Sequence, residues 1–221
     1  MKNTKDPVNN YLLNDEFNIG KEALGLMTSA VWRDDPKRLL FTLARYKFVS
    51  KMLEGMTRVV EVGCGDGFSS RVVAQTVGKL AITDYDPLFI ERYQQSDKSK
   101  WEREAFCHDI LEKPFLEKFD GLYCLDVLEH ISPQDEDRFL DNCKQSLVDH
   151  GVAIFGMPSL ESQVYASPPS KAGHVNCKTG KELKKTLEKH FRTIFSFSMN
   201  DEVVHTGFEK MAHYLIGLCV V

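Results

Sequence analysis

The sequence has no two cysteines close enough for a C-x-x-C motif, although it holds six, at 64, 107, 124, 143, 177 and 219. That excludes zinc-ribbon and thioredoxin-type sites. Several of these thiols lie in apolar runs, where a thiol acts as a small hydrophobe, so reduced cysteines are expected. No stretch reaches the roughly 18 uninterrupted apolar residues of a membrane helix. The stretch Met1–Phe17 lacks the apolar segment of a secretory signal. A cytoplasmic protein with no membrane partner is the expectation. Positive charge is not in excess either: 28 Lys and Arg stand against 32 Asp and Glu, a net charge of −4. Nonspecific nucleic-acid binding is therefore disfavoured. There is no internal repeat and no long charge block. What is present is 221 residues of ordinary globular composition, 43% hydrophobic and 27% charged. Such a chain buries a core without metal or disulfide staples, and one domain over 1–221 is expected.

The pattern alternates between two periods. A helix is predicted from Pro36, capped by Asp34 or Asp35, with Leu39, Leu40, Leu43, Tyr46, Val49 and Leu53 at roughly helical spacing and Gly55 as its stop. Strands are predicted at 58–62, 80–84, 104–109, 119–126 and 151–158, with helices between them, including FSSRVVAQTV after the first strand. Alternation of this kind implies right-handed crossovers and a parallel sheet. Residues 159–178 read as a long loop. Thr179 and Glu182 form a capping-box pattern before a helix. Strands at 192–199 and 211–221 have nothing helical between them and are expected to pair antiparallel. The expected fold is α/β: a single Rossmann-like, doubly wound, seven-stranded sheet, mostly parallel, with an antiparallel C-terminal hairpin.

Glu61-Val62-Gly63-Cys64-Gly65-Asp66-Gly67 lies between the first strand and its helix. Its glycines admit positive φ and close backbone approach to a ligand. Asp84 ends the next strand, where a carboxylate can accept hydrogen bonds from both hydroxyls of a ribose. Dinucleotide folds use G-x-G-x-x-G, whereas this loop is G-x-G-x-G with an acid two places before the first glycine. A buried carboxylate at Glu61 suits a cationic ligand or fixes the loop backbone.

With Glu61, Gly63, Gly65 and Gly67 in that order, the sequence resembles the class I S-adenosylmethionine-dependent methyltransferases, from about residue 36 to the C-terminus. The resemblance implies S-adenosylmethionine as cofactor and gives each position a role. Glu61, Gly63 and Gly65, with Cys64 and Gly67 alongside, match the cradle of its amino-acid part. Asp84 matches the acid on the ribose, and Tyr85 would pack near the adenine. Asp109 matches the carboxylate for the adenine amino group, or else caps a helix, and Ile110 would offer its N–H and an apolar face. Asp126 closes the fourth strand where the methionine moiety and the acceptor lie. The family often has an N-terminal helical cap, here residues 1–55 over a core of 56–221. Met27 and Trp32 are then lid residues or surface packing.

On the acceptor side, methyl transfer from a sulfonium needs an aligned, deprotonated nucleophile and no water. The segment Asp126-Val127-Leu128-Glu129-His130 follows the fourth strand, and His174 lies in the long loop after the fifth. His130 and then His174 are the candidate bases, with Glu129 as the third catalytic candidate. Asp126, Glu129, His130 and His174 together could bind a divalent cation such as Mg²⁺. That set resembles the metal-binding arrangement of ubiquinone-pathway O-methyltransferases and small-RNA 2'-O-methyltransferases, although Asp126 stands where those families usually carry Glu. Otherwise Glu129 and His130 orient the loop and cap the helix near Ser132. Tyr165, Pro168 and Pro169 could wall a pocket, and Lys171 and Lys178 could meet a negative group. His108, His150, His190, His205 and His213 read as structural or exposed. The expected activity moves a methyl group to a hydroxyl, less readily an amine, of a small molecule such as a sugar, glycan precursor or phenolic metabolite. The alternatives are a non-catalytic cofactor-binding member of the fold and an RNA-terminal methyltransferase.

Overall fold

The fold is seen in a computed structural model that describes residues 3–21, 23–96 and 100–221. In chain order the elements are α1 (Asn10–Ile19), α2 (Leu26–Asp34), α3 (Pro36–Met52), β1 (Arg58–Val62), α4 (Arg71–Ala74), β2 (Lys79–Asp84), α5 (Pro87–Ser96), β3 (Glu104–Cys107), β4 (Phe119–Leu125), α6 (Glu136–Gln145), β5 (Leu147–Pro158), α7 (Pro168–Gly173), α8 (Gly180–Leu187), β6 (Thr193–Asn200), β7 (Val203–His205) and β8 (Tyr214–Val220). Among the described residues no helix is long and apolar enough to cross a membrane.

The strands form one sheet in the order β3-β2-β1-β4-β5-β8-β6-β7. β1 to β5 pair parallel, while β8 runs antiparallel to both β5 and β6. Strand alternation explains why both faces need cover: Val59 and Glu61 point one way, Val60 and Val62 the other, and all four are buried. On one face Tyr46 and Val49 of α3, Val73 of α4 and Ile90 of α5 pack over Val59, Ile82 and Tyr123. On the other, Phe139 and Leu140 of α6 and Leu183 and Leu187 of α8 pack over Val60, Leu122 and Phe155. Because β1 to β5 share a direction, the turns that follow them gather at one carboxyl edge, where open α/β sheets bind ligands.

The sheet has eight strands rather than the expected seven. The extra one, β7, arises because the chain turns back at Asp201, with φ +52°, and pairs Val203 and Val204 against the end of β6. A 3-10 turn over Glu209–Met211 also lies between β6 and β8, where no helical segment was expected. The helix-like stretch after the glycine loop shrinks to four residues, Arg71–Ala74. The long loop at 159–178 carries a 3-10 turn at Glu161–Tyr165 and the short α7. The polar N-terminal residues hold α1 and α2.

The capping box at α8 forms in full. Glu182 N donates to Thr179 Oγ1 at 3.2 Å and Thr179 N donates to Glu182 Oε2 at 2.9 Å. α8 is only eight residues long, so it depends on this cap and on Leu183 and Leu187 for its place. Thr179→Ala is expected to destabilise the protein by about 1 kcal/mol, read as a lower midpoint in urea with an unchanged slope. An unmoved midpoint would show that the packed face alone holds α8.

A crevice at the carboxyl edge of the sheet

The glycine loop is shaped by its own backbone. Gly63 has φ +78°, and a Cβ there would lie 2.2 Å from Val127 Cγ2, so a side chain is excluded twice over. The loop hangs from β2: Gly63 N and Cys64 N both donate to Thr83 O, at 2.8 and 2.9 Å. Gly65 N donates to Asp84 Oδ2 at 2.9 Å and Asp86 N to Asp84 Oδ1 at 3.0 Å. Two backbone donors hold the Asp84 carboxylate still, and an ionised carboxylate has about four acceptor sites, so capacity remains for two hydroxyls. Cys64 is buried, and burial pushes its thiol up, which leaves it a packing group and no nucleophile at neutral pH.

Glu61 has both oxygens occupied by protein hydroxyls. Oε1 accepts from Tyr46 of α3 at 2.5 Å; Oε2 accepts from Tyr123 of β4 at 2.7 Å and from Ser70 just before α4. Glu61 is 1% exposed, and burial raises its carboxyl although the three hydroxyls pull the other way.

Further along the edge, Asp109 Oδ1 accepts from Leu111 N at 2.8 Å, while Ile110 is buried and its carbonyl accepts from Asn142 at 2.7 Å. Tyr85 is largely exposed. α2 crosses above the loop: Thr28 N and Oγ1 donate to the two Asp66 oxygens at 2.7 and 3.1 Å. Met27 Sδ comes so near Gly65 that a Cβ there would sit 2.9 Å from it.

At the end of β4 the backbone turns through Asp126, with φ +57°, a conformation costly for a residue other than glycine. Its carboxylate takes Arg45 Nη1 at 3.0 and 2.7 Å. Arg45 reaches it from α3 across the Tyr214 ring, 3.7 Å from the centroid. The expected four-residue cluster is therefore three: Asp126 is held by Arg45. Glu129, His130 and His174 do converge, with one ligand atom from each within 4.8 Å of the others. The two imidazole centroids are 5.0 Å apart and tilted by 71°. The long loop is docked there by its backbone, because Val175 N and Asn176 N both donate to the Glu129 carbonyl, at 2.9 and 3.0 Å.

The chemistry of the three follows from their partners. His130 Nδ1 lies 2.9 Å from Gly173 O. A carbonyl only accepts, so Nδ1 carries a proton and, in the neutral ring, Nε2 keeps the lone pair. Glu129 is 1% exposed. Burial pushes its carboxyl well above the usual carboxylate range, with Asp126 adding to the push, and its Oε2 has no hydrogen-bond partner among the described residues. Partial burial lowers the His174 imidazole, and His130 lowers it further. The imidazole lone pairs suit a hydroxyl proton, and with Glu129 deprotonated the three side chains would suit a cation, its Oε2 being without a partner among the described residues.

Other expected participants lie elsewhere in the structure. Tyr165 is exposed, Lys171 donates to Val164 O, and the half-buried Lys178 pairs with Glu136 at 2.7 Å. His190 bridges Asp137 and Asp141, and His213 accepts from Asp201 N. The residues not singled out from sequence as site residues are Arg45, Tyr46, Asp66, Thr28 and Gln163. Only Tyr46 carried a signal, as a large polar-tipped residue on the buried stripe of α3.

Comparison with known proteins bears on this crevice. A family model described as "Methyltransferase domain" matches residues 59–151. The Ubiquinone biosynthesis O-methyltransferase of Pasteurella multocida (strain Pm70) is 27% identical over 134 residues, 50% of this chain and 51% of that protein. The chain thus spans about half the length of that curated relative. Among solved structures, N-methyltransferase NodS from Bradyrhizobium japonicum WM9 with S-adenosyl-L-homocysteine superposes with a TM-score of 0.60 at 18% identity, over 86% of this chain and 89% of that one. Magnesium protoporphyrin IX methyltransferase from Synechocystis PCC 6803 gives a TM-score of 0.61 at 17% identity, over 96% and 95%. The methyltransferase domain of bacterial CtHen1 gives 0.66 at 15% identity, over 82% and 100%. At these identities the likeness to the solved structures is one of fold.

Proposed function

We propose that this chain, whose residues 59–151 match a methyltransferase-domain family model, is a class I S-adenosylmethionine-dependent methyltransferase that methylates a hydroxyl of a small molecule, a sugar, glycan precursor or phenolic metabolite. The observation that carries the choice of oxygen is the pairing of His130 with His174 beside Glu129. A hydroxyl must lose its proton to become a nucleophile, and a lone-pair imidazole nitrogen is the group to take it. The O-methyltransferase named above supports oxygen, and the N-methyltransferase fold keeps an amine as the alternative acceptor.

The residues present fit the cofactor: beside the glycine loop, the Asp84 carboxylate keeps open acceptor sites beyond its two backbone donors. In this reading Gly63, Cys64, Gly65 and Gly67 present backbone to the amino-acid part, and Asp84 takes the ribose hydroxyls. Asp109 and Ile110 border the adenine, with Tyr85 at the outer edge. Glu61 stiffens the loop from behind, and Asp126, fixed by Arg45, walls the path to the acceptor. In the cap of residues 1–55, α2 and α3 meet the core of residues 56–221 through the Thr28–Asp66 and Arg45–Asp126 contacts. Bound S-adenosylmethionine supplies an electrophilic methyl group on sulfur. His130 accepts the hydroxyl proton at Nε2, and His174 and Glu129 orient the hydroxyl.

Calorimetric titration with S-adenosylhomocysteine tests the cofactor half. Asp84→Ala is expected to weaken that binding by roughly 10²–10⁴-fold, because it removes two charge-assisted contacts of about 1.5–3 kcal/mol each and frees Gly65 N. Binding of NAD in place of S-adenosylhomocysteine would overturn the assignment.

A second reading rests on the partnerless Glu129 Oε2: the same three side chains hold a divalent cation. Two imidazoles and one carboxylate favour a transition ion such as Zn²⁺, Mn²⁺ or Fe²⁺ over the oxygen-preferring Mg²⁺. Such an ion would polarise the acceptor hydroxyl as a Lewis acid. Loss of turnover in a chelator, restored by one of these ions, supports this reading; insensitivity to chelator removes it.

A further inference from the structure

His174 has a partner outside the three-residue cluster. Its Nδ1 lies 2.8 Å from Gln163 Oε1. Which end of the Gln163 amide faces the ring is settled by the other end: the Gln163 Nε2 donates to the Ser159 carbonyl at 3.2 Å and reaches Ser162 Oγ at 3.5 Å. Flipping the amide would set its oxygen against the Ser159 carbonyl, so the oxygen faces the ring and Nδ1 must be the donor. Ser159 is itself fully buried at the end of β5, with N donating to His213 O at 3.0 Å and Oγ to Ala212 O at 2.7 Å. The amide therefore stands on a rigid base.

We propose that Gln163 is a positioning residue of the site: its side-chain carbonyl holds the His174 proton on Nδ1 and leaves Nε2 as the lone-pair nitrogen of the pair with His130. A neutral imidazole free in water favours the opposite tautomer, with the proton on Nε2. In that form His174 would bring to the cluster a donor in place of a lone pair. The backbone carbonyl of Gly173 imposes the Nδ1 proton on His130, and Gln163 does for the second imidazole what the main chain does for the first. An outer partner of this kind fixes both ring orientation and basicity. What Nε2 then meets, proton or cation, rests on the function proposed above.

The test reads the tautomer directly, with neither acceptor nor ion. In protein labelled with ¹⁵N at histidine, at a pH well above the imidazole range, His174 is assigned by the signal lost in His174→Gln. The expected spectrum shows Nδ1 protonated and Nε2 bare. Gln163→Leu is expected to move the proton to Nε2, whereas Gln163→Glu keeps it on Nδ1. Gln163→Asn, too short to reach the ring, serves as the second loss variant should the leucine protein fail to fold. A wild-type His174 protonated on Nε2, or a tautomer indifferent to both loss variants, overturns the proposal. Zn²⁺ titration of the same proteins separates the two ideas. Affinity 10–100-fold weaker in the loss variants but kept in Gln163→Glu joins Gln163 to the cation reading. A tautomer that shifts in a protein that binds no Zn²⁺ upholds Gln163 and discards the ion.

Discussion

His130→Ala is expected to lower turnover by roughly 10²–10⁴-fold, the usual worth of a positioned general base, while S-adenosylhomocysteine affinity stays within about twofold. The separation follows from where the ring sits. His130 ends the short 3-10 turn Leu128–His130, is exposed, and spends Nδ1 on Gly173 O. The loop strand opposite is pinned independently, by two backbone bonds to the Glu129 carbonyl. Deleting the ring thus removes chemistry without unseating the loop, and stability should change by no more than about 0.5 kcal/mol, as for a surface substitution. Release of S-adenosylhomocysteine with catechol as the probe hydroxyl gives the rate, and calorimetry gives the affinity. Equal losses in both would mean that His130 holds the cofactor or the fold. A chelator arm divides the base from the ligand: as a base, His130 acts in a wild-type enzyme indifferent to chelator. As a ligand, it acts in one that chelator silences.

The elements that sequence alone made legible are those whose cause is local. Val59, Val60 and Val62 mark a strand covered on both faces; the glycines that follow can only be a close-approach turn; Asp84 comes at the next strand's end, and the Thr179–Glu182 box is spelled out within four residues. The parts that were not legible depend on elements meeting across the chain. Arg45 and Asp126 are 81 residues apart, and nothing in either segment says that α3 crosses the end of β4. The same crossing takes Asp126 out of the expected cluster. Helical spacing overestimated α4 because Ser69 and Ser70 are used for tight turns and for Glu61, not for helix. β7 exists only because β6 offers an edge; its three residues carry too little pattern to announce a strand. His174 belonged visibly to a long loop, yet its register against Glu129 is set by main-chain bonds that any sequence could make.

Glu61→Ala is expected to be the most destabilising single change near the crevice, by about 4 kcal/mol, a large part of a typical stability of 5–15 kcal/mol. The carboxyl joins three elements to β1 through Tyr46, Tyr123 and Ser70. Removing it strands three buried hydroxyls, at roughly 1–3 kcal/mol for each left without a partner. Burial raises the Glu61 carboxyl above its usual range. The folded state therefore favours a neutral group there, and stability drawn from that preference is lost as pH rises through the raised value. Glu61→Gln keeps the reach and an acceptor at one end, while its NH₂ requires the hydroxyls at the other end to turn and accept, so it should cost less than Glu61→Ala. Urea unfolding of Glu61→Ala alone and combined with Tyr46→Phe and Tyr123→Phe distinguishes a network from a void. Costs smaller than the sum point to orphaned hydroxyls, and strict additivity to a cavity. The same variants decide what Glu61 is for. If it is a brace, Glu61→Gln keeps S-adenosylhomocysteine affinity and loses only stability. If it grips the cofactor, affinity falls more than tenfold in a protein that unfolds where the wild type does. The geometry favours the brace, since both oxygens are filled by the chain itself. Tyr46 is the neighbour of Arg45, so the hydroxyl bond that seats α3 at the cofactor strand also aims the guanidinium at Asp126 on the acceptor side.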